Sequence, residues 1–335
     1  MNLIDKHFMN LAIKEASKGK SNVYPNPRVG ALIVKDEQIV SSGFHKKFGH
    51  PHAEYDAIKS VKGDISGATL YTTLEPCIHR GKTNACVELI TPKIFKRVVI
   101  GSNDPNPIAS GGAKHLRKKG IQVDEGICHE DCKKLNRRFF TFHEKKRPYI
   151  ILKIASTLDG FIAEMNDNSK WITNKKSRKS VHQLRSTCDA ILVGRKTVEV
   201  DNPYLTSHLK GKNPKVITFD KDNTLNPKAN IFKNNPIILS KRDTSNDPQK
   251  NINNILNFLY DNYFQTLLVE GGGITFTHFL KEKKFDELQC YFAPKVLGKG
   301  LSFYNEKGFL DTDLGLEIHK IENFDSDVKI TYYKK

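Results

Sequence analysis

His52, Cys77 and Cys86 offer one imidazole and two thiolates, a nitrogen–sulfur set that suits Zn²⁺ in a tetrahedron. Three protein ligands leave the fourth corner for water, which is the layout of a catalytic zinc and not of a structural one. Glu54 stands two residues after the histidine, beside such an ion without ligating it, where it can move protons. Read one at a time, a cysteine is a small buried hydrophobe and a histidine is a polar surface residue. Read together, with Pro76 before the first cysteine and a strand-like run Ala68–Thr73 before that, the set points to one metal-assisted hydrolysis.

Two further stretches carry chemistry. The apolar run Leu267–Glu270 ends in Gly271-Gly272-Gly273 and enters a predicted helix at about Thr275. Outward N–H groups at a helix start make an anion seat, so this turn is a candidate phosphate site. It lacks the G-x-G-x-x-G pattern, so a Rossmann assignment has no support, and a plain tight turn is the alternative. Cys128, His129 and Cys132 form a second metal candidate, against which the same spacing suits one packed face of a helix over 128–143.

These residues need elements to hold them. Apolar spacing predicts helices over 3–18, 87–90 and 174–187, a helix opening at His52, and another through Leu116. It predicts strands over 31–34, 38–45, 68–73, 97–101, 120–123, 149–156, 190–194, 215–219, 236–239, 267–270, 287–294 and 327–332, with 240–254 read as loop. Strands alternating with helices imply an α/β protein with mixed or parallel sheets, in which ligands sit at the carboxyl ends of strands. The 335 residues exceed one ordinary core. The basic, proline-ended joint Lys145-Lys146-Arg147-Pro148 divides them into domains 1–146 and 147–335.

Composition narrows the partners. Six scattered cysteines do not make a disulfide framework. No apolar run reaches membrane-spanning length and the first residues lack a secretion pattern, so the expected location is the cytoplasm, with no membrane partner. The net charge of +17 raises nucleic-acid binding. The basic residues are spread along the chain without interleaved aromatics, so anionic small substrates are the expectation and nucleic acid is not.

The sequence resembles the bifunctional deaminase–reductases of riboflavin biosynthesis over essentially its whole length. The first half carries the H-x-E and P-C pattern of zinc nucleobase deaminases. Its eight residues between Cys77 and Cys86 match this family and not the cytidine or tRNA-adenosine deaminases, which keep two. Pro25-Asn26-Pro27, Gly43, His45, Gly81-Lys82-Thr83 and Asp104-Pro105-Asn106-Pro107 also fall where the family has them. In the second half the match runs through Lys153, Leu158-Asp159-Gly160, Ser169–Thr173, Leu184-Arg185, Asp189–Gly194, Leu205-Thr206 and Val269–Gly272.

The resemblance implies a cytidine-deaminase-like three-layer α/β/α domain followed by a dihydrofolate-reductase-like α/β domain. It implies zinc-dependent deamination of a phosphorylated ribosylamino-diaminopyrimidinone, then NADPH-dependent reduction of the ribosyl group to a ribityl chain. His52, Cys77 and Cys86 carry over as zinc ligands and Glu54 as the catalytic proton shuttle. Asn26, His45, His79, Lys82, Asp104 and Asn106 carry over as the deaminase substrate pocket. Ala155, Trp171, Thr197, Asp201, Gly272, Gly273, Ile274, Thr275, Phe276, Thr277 and His278 carry over as NADPH contacts. Lys153, Ser169, Arg185, Leu205, His208 and Glu270 are the reductase substrate contacts. A homo-oligomer through the reductase half is also implied.

Three positions depart from the family. Asn202 replaces an aspartate, His208 replaces an arginine that would meet substrate phosphate, and Thr83-Asn84-Ala85 stands where prolines are common. A live deaminase with an impaired reductase is therefore one alternative. An RNA-editing deaminase with an accessory domain is another.

Overall fold

The computed structural model describes residues 3–81, 83–208, 212–307 and 313–335. The chain divides into two compact units, Met1–Lys145 and Lys146–Lys335. No helix among the described residues is long and apolar enough to cross a membrane.

Unit 1 contains helix α1 (Leu3–Ser17), strands β1 (Gly30–Lys35) and β2 (Gln38–Phe44), helix α2 (Ala53–Lys59), strand β3 (Ala68–Leu74) and helix α3 (Cys86–Leu89). Strand β4 (Phe95–Ser102), helix α4 (Gly112–Lys118), strand β5 (Gln122–Glu125) and helices α5 (His129–Leu135) and α6 (Arg137–Lys145) complete it. Its sheet runs β2-β1-β3-β4-β5. β1 is antiparallel to β2 and β3, whereas β3, β4 and β5 are parallel. Asp36 and Glu37 turn β1 into β2 with positive φ angles of 49° and 60°. Apolar residues of α2, α3 and α4 join one core with the sheet, while Phe8, Met9 and Ala12 of α1 pack against its other face. Gly43 lets α2 close on β2, because a Cβ there would lie 2.3 Å from the Ala57 nitrogen.

Unit 2 contains strands β6 (Tyr149–Thr157) and β7 (Phe161–Ala163), helix α7 (Lys175–Ser186), strand β8 (Ala190–Val193), helix α8 (Arg195–Asp201), and strands β9 (Lys215–Phe219) and β10 (Ile237–Leu239). Helix α9 (Pro248–Asp261), strand β11 (Thr266–Gly271), helix α10 (Gly273–Lys281) and strands β12 (Glu287–Ala293), β13 (Leu301–Ser302), β14 (Leu316–Phe324) and β15 (Asp327–Lys334) follow. Eight strands form one sheet, β10-β9-β8-β11-β6-β12-β15-β14. It is parallel from β10 to β12 and ends in an antiparallel β15–β14 hairpin. β6 is central and its Ile150, Ile151 and Leu152 are inaccessible to solvent, as a strand covered on both faces requires.

Two sequence expectations need correction. The helix expected over 128–143 is two helices, because Asn136 turns its amide to the backbone of Arg28, accepting from its N–H at 2.8 Å and donating to its carbonyl at 2.8 Å. The loop expected over 240–254 gives way to α9 at Pro248. Asp247 caps that helix by accepting from the Gln249 N–H at 2.9 Å, and the proline takes a first-turn position where its missing N–H does no harm.

Candidate metal and cofactor sites

The unit 1 site lies at strand ends. His52 is the extended residue ahead of α2, so its ring leaves the helix axis while Glu54 enters the first turn. Cys77 follows the end of β3 and Cys86 opens α3. His52 Nδ1 is 3.2 Å from Cys86 Sγ and 3.5 Å from Cys77 Sγ. One donor atom from each of the three lies within 4.8 Å of the others. The nitrogen–sulfur edge of a zinc tetrahedron is about 3.5 Å, given ordinary Zn–N and Zn–S bond lengths, so the donors fit that ion. Among the described residues no second such group forms. Cys132 is buried against the backbone of Gly101, which fits the packed-face reading of that helix.

Electrostatics also favour a cation here. The neighbouring Cys86 sulfur, with His52 assisting against burial, brings the Cys77 thiol down to about 4. The same Cys77 contact, together with burial and the Glu54 carboxylate, drives Cys86 upward. Two sulfurs this close share one proton, and a divalent cation resolves the conflict by taking both as thiolates. Burial alone would depress the His52 imidazole, but Cys77 and Glu54 hold it above its usual value. Burial raises the Glu54 carboxyl, and its Oε2 lies 3.4 Å from Cys86 Sγ.

Around this centre the structure gathers most of the predicted pocket. His45 Nδ1 pairs with the Pro51 carbonyl at 3.0 Å, which makes that nitrogen the N–H donor. Nε2 is then an acceptor, 3.2 Å from the Asn26 amide nitrogen. Burial lowers the His45 pKa, consistent with this neutral tautomer, and its ring stands edge-on to His52 at 5.4 Å. Asp104 Oδ1 accepts from the Asn106 N–H at 2.8 Å. Burial, with the charges of Glu75 and Cys77, pushes the Asp104 carboxyl up to about 7. His79 Nδ1 is buried with no hydrogen-bond partner among the described residues. Lys82 lies outside the described residues. Thr83, absent from the pocket expected from sequence, sets its hydroxyl 3.5 Å from His52 Nε2.

Unit 2 holds a cavity of about 1270 Å³. Lys153, Ala155, Ser169, Trp171, Arg185, Thr197, Asp201, Leu205, His208 and Glu270 line it, as do Gly272–Phe276 and His278. Thr277 does not line it: its hydroxyl donates to the Gly273 carbonyl at 2.7 Å and accepts from the Asn305 N–H at 2.9 Å. Gly272 has a φ of +83°, which glycine adopts without strain, and precedes α10 at the carboxyl end of β11. Room for a dinucleotide and a glycine turn at a helix start fit a nicotinamide cofactor. Trp171 is 61 % exposed and carries the Arg178 guanidinium 4.3 Å from its ring centre, so it is not core.

At the inner end of the cavity Arg185 grips Glu270 through two hydrogen bonds of 2.7 and 2.8 Å. Burial opposes both charges. The pairing overcomes it, lowering the Glu270 pKa and raising that of Arg185. Burial depresses the Lys153 amine, with Glu270 pulling the other way and Arg185 adding to the depression. Ser169 donates to Asp201 at 3.0 Å. The His208 ring meets His182 edge-on at 4.6 Å, and His182 is a lining residue that sequence reasoning missed. Asn202 closes α8 in the left-handed region, at φ +42°, where asparagine is well suited.

Comparisons with known proteins find one family model in each unit. Residues 3–102 match the cytidine and deoxycytidylate deaminase zinc-binding region, and residues 148–330 match the RibD C-terminal domain. The riboflavin biosynthesis protein RibD of Aquifex aeolicus is 40 % identical, covering 98 % of each chain. A crystal structure from Thermotoga maritima, described as a diaminohydroxyphosphoribosylaminopyrimidine deaminase/5-amino-6-(5-phosphoribosylamino)uracil reductase, is 40 % identical with a TM-score of 0.84 over 99 % of each chain. Acinetobacter baumannii RibD is 32 % identical, again with a TM-score of 0.84 over 99 % of each. Matched along both units, the chain belongs to the RibD family of riboflavin biosynthesis proteins.

Proposed function

We propose that the two units perform consecutive reactions on one phosphorylated pyrimidine. Unit 1 replaces a ring amino group by oxygen, consuming water and releasing ammonia. Unit 2 reduces the ribosyl group of that product with NADPH. The observation that carries the reading is the convergence of His52, Cys77 and Cys86 beside the buried carboxyl of Glu54. Free cysteines throughout fit a reducing cytoplasm.

Zinc, held by those three side chains, supplies Lewis acidity, and NADPH supplies the hydride. The remaining work belongs to the protein. Glu54 takes a proton from the attacking water and returns it to the departing nitrogen, and its raised pKa suits both transfers. Asn26, His45, His79, Lys82, Asp104 and Asn106 hold the pyrimidine and its phosphate. In unit 2 the glycine turn and helix start receive cofactor phosphate, with Ala155, Trp171, Thr197, Asp201, Ile274, Thr275, Phe276 and His278 completing the contact. Lys153, Ser169, Arg185, Leu205, His208 and Glu270 orient the sugar, whose C1′ would accept the hydride that NADPH supplies when bound. Exposed Ile318 and Ile321 on edge strand β14 support self-association through this unit.

The test supplies the phosphorylated diaminopyrimidinone and follows ammonia, then the absorbance of reduced cofactor. Ammonia release followed by NADPH oxidation is expected. The reading fails if no ammonia appears, or if the deaminated compound, supplied directly, leaves NADPH untouched. Tight, salt-sensitive binding to tRNA would instead favour an RNA-editing deaminase.

A further inference from the structure

We propose that Glu75 is a positioning residue for deamination, fixing the wall that carries Asp104 and Asn106 to the loop that carries Cys77. The inference rests on the deaminase reading above and adds a residue to it. Glu75 follows β3, is 7 % exposed, and is not among the converging metal donors. Its carboxylate serves three backbone donors on the neighbouring segment. Oε1 accepts from the N–H groups of Gly111 at 3.1 Å and Ala113 at 2.9 Å, and Oε2 accepts from that of Asp104 at 3.2 Å.

The segment between β4 and α4 needs such a tie. It brings Asp104 and Asn106 to the pocket without a sheet ladder of its own. Main-chain bonds stitch it to the metal loop, from the Glu75 N–H to the Ser102 carbonyl at 2.9 Å and from the Ile78 N–H to the Ala109 carbonyl at 3.1 Å. At Gly112 the two backbones touch, since a Cβ there would sit 1.9 Å from the Pro76 carbonyl oxygen. Glu75 fills the centre of this seam. Asn106 follows Asp104, whose Oδ1 takes its N–H. A shift in the Glu75–Asp104 bond therefore moves both substrate groups.

The chemistry calls for a carboxylate. Two acceptor oxygens face donors on both sides, and an amide offers only one. In Glu75→Gln the remaining oxygen can keep Gly111 and Ala113, which leaves the new NH₂ facing the Asp104 N–H. Donor against donor breaks that single tie and leaves the helix start in place.

Glu75→Gln is therefore expected to raise the deaminase KM about tenfold with kcat within about threefold, the signature of lost uniform binding. Zinc content and NADPH oxidation on supplied deaminated substrate should match the wild type. In an Asp104→Asn background, Glu75→Gln should add less than about twofold, because it acts through Asp104. Glu75→Asp, which keeps both acceptors on a shorter arm, should fall between wild type and Glu75→Gln. The inference is overturned if Glu75→Gln leaves the kinetics unaltered, lowers kcat at constant KM, or loses zinc. It is equally overturned if its effect multiplies in full with that of Asp104→Asn. A wild-type protein that releases no ammonia overturns the deaminase reading and this inference with it. Normal wild-type turnover beside an unaltered Glu75→Gln overturns this inference alone.

Discussion

Replacing Glu270 by Gln tests the charge arrangement at the inner end of the unit 2 cavity. In the native protein one carboxylate faces two cations, Arg185 through a double hydrogen bond and Lys153 through space. The Glu270 side chain is 5 % exposed and that of Arg185 is 14 % exposed, so solvent screens neither. Glutamine keeps the shape and removes the anion, leaving two cations side by side. Breaking a buried pair in this way costs about 3–5 kcal/mol. Lys153, whose amine burial already depresses, can relieve part of this by losing its proton, so the lower figure applies. Arg185→Met is the informative partner variant. It leaves Glu270 with Lys153, one charge of each sign, and should cost less than Glu270→Gln. Trp171, the only tryptophan, reports the unfolding of its own unit, so urea titration followed by its emission reads the right transition. At a slope of about 2 kcal/mol per molar, 3 kcal/mol moves the midpoint down by about 1.5 M. The pH dependence has a definite sign. A carboxylate whose folded pKa is depressed stabilises above its unfolded value of about 4.3, and that contribution disappears as pH falls through the folded value. The gap between wild type and Glu270→Gln should therefore begin to narrow as pH falls through about 4.3 and close only below the depressed folded value. Equal midpoints at pH 7, or an Arg185→Met protein weaker than Glu270→Gln, would refute this account.

The other predictions concern the two reactions directly. Glu54→Gln removes the proton carrier without changing volume, and ammonia release should fall by at least about 10³-fold while atomic absorption still finds one zinc per chain. A strong chelator should abolish ammonia release and spare NADPH oxidation on supplied deaminated substrate; loss of both would place the metal's role elsewhere. NADPH should change Trp171 emission in a saturable titration, because the ring lines the cavity beside Arg178. Deaminase substrate alone should leave that emission unaltered.

Sequence and structure agree where a feature is local or chemically rare. The β1–β2 turn at Asp36 and Glu37, the histidine ahead of α2 and the glycines after β11 are each set by neighbours within a few residues. The converging imidazole and thiols were legible because few arrangements other than metal binding use that combination with a carboxyl two residues away. What escaped the sequence depends on distant partners. Asn136 splits the helix expected over 128–143 because the backbone of Arg28 offers it both a donor and an acceptor, and periodicity carries no trace of that. Strand β14 shows no clean alternation, since most of its residues are exposed at a sheet edge, so it left no strand signal. α9 was hidden by polar residues on its first turn, although Asp247-Pro248 is a local start signal that the polar context obscured.

The same distinction explains why residue types at the sites were easier to name than their couplings. Arg185 and Glu270 each match the family pattern, but only the fold shows that they neutralise one another and leave Lys153 as the adjacent cation. Glu75 stands two residues before Cys77 in the sequence, but only the fold shows that its carboxylate accepts from the N–H groups of residues 104, 111 and 113. Glu75 follows β3, Asp104 follows β4 and Glu270 lies near the end of β11, each at the carboxyl end of a parallel strand, where the chain leaves the sheet and its backbone donors lose their ladder partners. Buried carboxylates at those positions satisfy the stranded donors or cations, and that requirement links the folding of each pocket to its chemistry.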